Sequence, residues 1–191
     1  MLLTLATWRE EDSARLSARE RRIARAERWE HVRLALRSAA GHGYYVFDEL
    51  ITEDAGMIDF LAVGPVGLIV VVVRDDPGAV TADVAGKLYH NGGPFEDSPN
   101  QQGLNLVEAV HATMPDEDRD IYHIICFTRA ELFYLGDDQT ALKGVCPTWD
   151  LPLAFEEAER EHGAADVAEL AELIRGTYGR PPFVVPEEGE I

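Results

Sequence analysis

The chain has 191 residues, enough for one domain with a substantial core, and an apolar fraction of 46% excludes an intrinsically disordered polymer. Its only cysteines, Cys126 and Cys146, exclude a disulfide framework and have no metal-ligand spacing, and no apolar run is long enough for a membrane-spanning helix. The net charge of -18 is uneven: residues 1 to 40 carry nine Arg against six acids (+3), while the rest carries eight basic and twenty-nine acidic residues (-21), which excludes general nucleic-acid binding by the body.

The opening MLLTLATW has no basic leader and meets Arg9-Glu10-Glu11-Asp12 after eight residues, too short for a signal peptide, so a soluble cytoplasmic protein is expected. Residues 9 to about 40 are rich in Ala, Arg and Glu and lack Pro and Gly until Gly41, which predicts one long helix. Trp29, Val32 and Leu36 have helical spacing and are expected on the core side. The earlier turns carry Arg15, Arg19, Arg21, Arg22 and Arg25. That basic surface can grip nucleic acid, dock on the acidic body of a second copy to give a homodimer, or simply be solvated.

Gly41-His42-Gly43 stops the helix, and Tyr44 to Ile51 reads as the first strand. Within it Asp48 and Glu49 are adjacent and point to opposite faces. The central stretch is IDFLAVGPVGLIVVVV, from Ile58 to Val73, followed by Arg74. Two apolar, strand-forming runs flank Gly64-Pro65-Val66-Gly67, which predicts a hairpin at the centre of a sheet. With a two-residue turn, opposed residues sum to 131, so Asp59 lies across from Val72 and shares a face with Val72 and Arg74.

Asp75-Asp76-Pro77-Gly78 is turn chemistry. Short strands are expected over 79–81 and 87–90, separated by the Gly-rich turn at 91–94 from a helix over 99–114 with Ser98 as cap and Pro99 at its first position. A buried strand over 121–128 follows, then strands near 132–135 and 144–147, and helices over 152–161 and 164–175. Arg180-Pro181-Pro182 and the acidic end read as a loose tail. No phosphate loop, nucleophile elbow or His-Glu-x-x-His motif is present.

Ile58-Asp59, Gly64-Pro65-Val66-Gly67, Val72-Val73-Arg74, Gly78-Ala79-Val80 and Ser98-Pro99-Asn100-Gln101-Gln102 together resemble the nuclease-related domain, a branch of the PD-(D/E)xK restriction-endonuclease-like superfamily. The resemblance spans about Trp29 to Arg175. It implies an α/β fold with a mixed sheet flanked by helices and a long N-terminal helix. It also divides the chain into a basic helical extension (1–28), a nuclease-related domain (29–178) and an acidic tail (179–191). The vestigial catalytic positions it implies are Asp59, Arg74 and Gln102.

The chain departs from that family where the chemistry lies. Val72 stands where the second carboxylate is expected and Arg74 where the lysine is expected; Trp29 occupies the position of a helix glutamate, with Glu30 one residue, about 100°, away. Metal-assisted phosphodiester hydrolysis needs carboxylate oxygens around Mg²⁺ and a basic group near the attacking water. Valine supplies no oxygen, and arginine stays protonated.

The expected function is therefore a non-cleaving binding or interaction module in nucleic-acid transactions, contacting its partner through Arg15, Arg19, Arg22 and Arg25 and needing no cofactor. Asp59 and Arg74 then form a diagonal cross-strand ion pair. One alternative is an active endonuclease holding Mg²⁺ with Asp59 and a relocated Glu49. Another is an acidic DNA mimic that occupies a basic protein.

Overall fold

A computed structural model describes residues 18–83, 85–114, 121–134, 144–156 and 164–186. It opens with helix α1 (Ala18–Arg37), which passes into a 3-10 turn over Ser38–His42. Strands β1 (Tyr45–Ile51), β2 (Met57–Gly64), β3 (Gly67–Arg74), β4 (Gly78–Ala82), β5 (Leu88–His90) and β6 (Gly93–Pro94) follow, then helix α2 (Pro99–Ala112). Strands β7 (Ile121–Phe127), β8 (Ala130–Tyr134) and β9 (Val145–Pro147), a 3-10 turn at Thr148–Asp150, and helices α3 (Leu153–Glu156) and α4 (Ala164–Tyr178) complete the order.

Four residues of central punctuation, Gly64 to Gly67, set the register of the sheet. Pro65 and Val66 form the two-residue turn, and the rungs run from Gly64↔Gly67 to Phe60↔Val71, each pair summing to the expected 131. Gly64 has no room for a side chain: a Cβ there would sit 2.0 Å from the Tyr44 ring. Strands β1, β2 and β3 form an antiparallel meander, and β7 joins β3 in parallel after the α2 crossover. The main sheet thus reads β1-β2-β3-β7-β9, and a second sheet reads β6-β5-β4-β8. Both are mixed, because β4 pairs antiparallel with β5 and parallel with β8.

Helices cover both faces of the main sheet, so its central strands have no polar side. Leu68, Ile69, Val70, Val71 and Val72 are all buried, as expected of a strand with neighbours on each edge and helices above and below. On one face Val32 and Leu36 of α1 meet Phe60, Ala62, Ile69 and Val71, joined by Leu151 and Phe155. On the other, Leu106 and Val110 of α2 and Val167, Leu170 and Ile174 of α4 meet Leu61, Val63, Leu68, Val70 and Val72. Burying a Phe or Leu side chain in this way contributes roughly 1.5–3 kcal/mol before entropy is counted.

Helix boundaries follow local chemistry. Ser98 caps α2 by accepting from the Gln101 amide at 3.3 Å, with Pro99 in the first turn. The expected helix from 9 to about 40 is observed as α1 over 18–37, since residues 1–17 lie outside those described; its α-helical part stops at Arg37, where the 3-10 turn takes over. Gly43, with φ 81°, closes that turn through its amide to Ala40 O. The helix runs without interruption through positions 28 and 29.

The segment at 180–186 is not loose. Val184 bridges to Val46 on the outer edge of β1, Phe183 packs against Phe60 at 5.9 Å, and Val184 is 5% exposed. Backbone hydrogen bonds Val46 N to Val184 O (3.0 Å) and Phe183 N to Val46 O (2.8 Å) occupy an edge that would otherwise be open to strand addition. The remainder of the acidic end lies outside the described residues. Among the described residues, no helix is long and apolar enough to cross a membrane.

Candidate functional site

Beyond the last rung of the central hairpin, β2 and β3 separate and leave a polar recess of about 380 Å³. Arg28 and Trp29 of α1, Asp59 of β2, Val73 and Arg74 of β3, Asp75 and Asp76 of the following turn, Gln102 of α2 and Thr128 after β7 line it. Residues from five parts of the chain thus meet where the sheet ends.

Asp59 is 8% exposed, and its Oδ2 accepts the Val73 amide hydrogen at 2.7 Å. Strand alternation breaks at this residue, because Ile58 packs in the same cluster as Leu61 while Phe60 belongs to the opposite one. The facing strand breaks likewise: Phe47 and Leu50 share a cluster, and Glu49 between them has φ +49°. The simple two-fold alternation that would put Asp59 on the Val72 face therefore does not hold. Val72 is fully buried among apolar side chains of α2 and α4, while the Asp59 carboxylate serves the end of β3.

Arg74 keeps its expected place at the strand end, and its guanidinium is held firmly. Nε donates to Asp76 Oδ2 at 2.8 Å, Nη2 to Asp76 Oδ1 at 3.2 Å, and Nη1 to Gln102 Oε1 at 3.2 Å. The Phe95 ring lies 5.5 Å from its central carbon. This planar fork joins the strand end, the turn and helix α2, a geometry that lysine's single ammonium could not reproduce. Gln102 is thus brought to Arg74 across 28 positions of sequence.

The neighbouring acid is held the same way. Arg28 Nη2 bonds to Asp75 Oδ2, and Thr128 donates to Asp75 Oδ1 at 3.0 Å. The Trp29 ring packs tilted against Phe60 with centroids 5.0 Å apart, so the position where the resembled pattern has a glutamate carries an aromatic wall. Glu30 is exposed and meets Arg33 on its own helix at 3.4 Å.

The other expected positions fall elsewhere. Glu49 is outside the recess, with Arg180 at 3.0 Å from its carboxylate, and Asp48 pairs with Arg33 at 3.2 Å. Arg15 lies outside the described residues. Arg19, Arg22 and Arg25 lie on α1, with side chains outside those described.

The donor set does not fit Mg²⁺, which demands near-octahedral oxygen ligation. Of the three recess carboxylates, Asp75 and Asp76 already carry guanidinium partners and Asp59 has one oxygen on a backbone amide. A dication placed among them would face two guanidiniums. Among the described residues, no group of three or more His, Cys, Asp or Glu side chains is spaced to hold a metal ion.

Sequence reasoning assigned Asp75 and Asp76 to a turn and passed over Arg28 and Thr128. A turn made of two aspartates directly after an arginine at the end of an apolar strand was the available sign that Arg74 would find its partner locally. Nothing in the helix distinguishes Arg28 from its neighbours, because its partner lies 47 positions away.

No family model, curated protein or solved structure matches this chain.

Proposed function

We propose that this chain is a non-cleaving relative of the nuclease-related domain, of restriction-endonuclease-like fold, that acts as a cytoplasmic binding or interaction module. The observation that carries the reading is the pair of Arg–Asp contacts in the recess, Arg28 with Asp75 and Arg74 with Asp76, in the place where metal-ligating carboxylates are expected. Asp59, Arg74 and Gln102, chosen by their resemblance to family positions, line this same recess, which supports the relationship. The mixed sheet between helices agrees with it.

Cleavage chemistry has no support from these side chains. Arg74 is engaged by Asp76, and an arginine side chain is no proton acceptor for water. Val72 offers no oxygen and faces a closed apolar layer.

The partner on this reading is nucleic acid, met by the arginines of the N-terminal helix and not by the acidic body. The charge asymmetry supports this, with +3 over residues 1–40 against -21 over the remainder. The test is fluorescence anisotropy with labelled single- and double-stranded DNA over a salt series. The reading predicts binding that weakens steeply with salt, persists in EDTA and falls at least tenfold on joint replacement of Arg15, Arg19, Arg22 and Arg25 by Ser. Equal binding by that variant, or no binding by wild type at low salt, overturns the assignment of partner.

A further inference from the structure

The chain's only two cysteines, twenty positions apart, are direct register partners on adjacent parallel strands. In-register residues of parallel strands project to the same face, and neighbouring strands lie about 4.8 Å apart, within the Cα separation that a disulfide spans. Both side chains belong to the core layer beneath α1: Cys126 is fully buried there and Cys146 packs at its margin, partly exposed. Cys126 also pairs in register with Val73, whose amide holds Asp59.

We propose that Cys126 and Cys146 form a reversible oxidative modification site, closing to a cross-strand disulfide with hydrogen peroxide and reopening with a thiol reductant. The site is separate from the recess and stands whatever the recess binds.

Two further contacts agree with this geometry. A hydrogen bond from the Cys146 thiol holds Cys126 below the ordinary thiol range, and that bond together with burial pushes Cys146 up. Thr148 Oγ1 lies 3.7 Å from Cys126 Sγ. Cys146, the partly exposed one of the two thiols, is the one that peroxide reaches.

In the first step Cys146 loses its proton to solvent and its sulfur attacks one peroxide oxygen. The O–O bond breaks, the departing hydroxide takes a proton to become water, and Cys146 becomes a sulfenic acid. Cys126 sulfur then attacks Cys146 sulfur, the S–O bond breaks, and the hydroxide leaves as a second water with the Cys126 proton. Two thiols and one hydrogen peroxide give one disulfide and two waters. A thiol reductant reverses the change by exchange.

The test treats the reduced, folded full chain with hydrogen peroxide, then unfolds it in an alkylating agent and measures intact mass and peptides. The expected product takes up no alkyl group, is lighter by two hydrogens, and yields a peptide joining Cys126 to Cys146. Dithiothreitol then restores two alkylatable thiols. Cys146→Ala, checked for folding by circular dichroism, retains a free Cys126 under the same treatment. Two alkylatable thiols in treated wild type, oxygen adducts without a link, or a link between two chains would each overturn the proposal, whichever way the variant behaves.

Discussion

The Arg28 guanidinium on helix α1 bonds to Asp75, the first residue after strand β3, 47 positions further along the chain. One contact therefore joins the N-terminal helix to the end of the central strand and closes one side of the recess. With side-chain exposures of 21% and 33%, the pair is only partly shielded from water.

Removing one partner leaves the other charge half-buried without its counter-ion, Asp75 keeping only its hydrogen bond from Thr128, while removing both leaves no stranded charge. Arg28→Ala and Asp75→Ala are each expected to lower stability by about 1 kcal/mol, with the double variant costing less than the sum. Urea unfolding of the four proteins in a double-mutant cycle measures this. Strict additivity would mean that the contact contributes nothing.

Two glycines test packing in opposite directions. At Gly64 a Cβ would meet the buried Tyr44 ring at 2.0 Å, so Gly64→Ala is expected to cost at least about 2 kcal/mol. Gly176 lies within α4 with nothing near the same atom, and Gly176→Ala is expected to stabilise by roughly 0.5–1 kcal/mol. Thermal melts that shift the same way for both would contradict the assigned environments.

His123 on β7 is half-buried beside Gly103, and burial lowers its pKa below the ordinary 6.5. The unfolded chain therefore takes up this proton first as pH falls. The histidine's contribution to stability is constant well above 6.5, declines as pH drops through 6.5, and levels off below the folded-state pKa. His123→Phe, assayed by urea unfolding between pH 8 and 5.5, is expected to flatten that part of the profile. An unchanged slope would assign the effect to other groups.

Introducing the residues of the nuclease-related pattern at positions 72 and 74 is expected to fail. Val72 is fully buried in an apolar layer, so Val72→Glu with Arg74→Lys places a carboxyl where no partner exists and removes the fork that holds Asp76 and Gln102. A loss of about 3 kcal/mol or more and no gain of cleavage are predicted. A stable, cleaving double variant would show that position 72 faces the recess.

Much of the fold was legible because it is written in local chemistry. Gly64-Pro65-Val66-Gly67 set the hairpin register, Ser98-Pro99 started α2, and the continuous apolar run of β3 announced a strand covered on both faces. What was not legible depends on contacts distant in sequence. The alternation break at Asp59 arises with Glu49 on the neighbouring strand, which has φ +49°. Arg180-Pro181-Pro182 looked like tail composition, yet Arg180 donates to Asp48 O at 2.8 Å and carries Phe183 and Val184 onto β1. In the recess, Asp59, Arg74 and Gln102 were found through resemblance, while Arg28 and Thr128 became visible only when the chain was folded.

The most direct measurement is cleavage of single- and double-stranded DNA by wild type and Asp59→Ala with Mg²⁺ or Mn²⁺. Arginine-neutralised carboxylates predict no metal-dependent products from either protein, with both folded. Metal-dependent cleavage by wild type that disappears in Asp59→Ala would contradict the account and make Asp59 a working metal ligand.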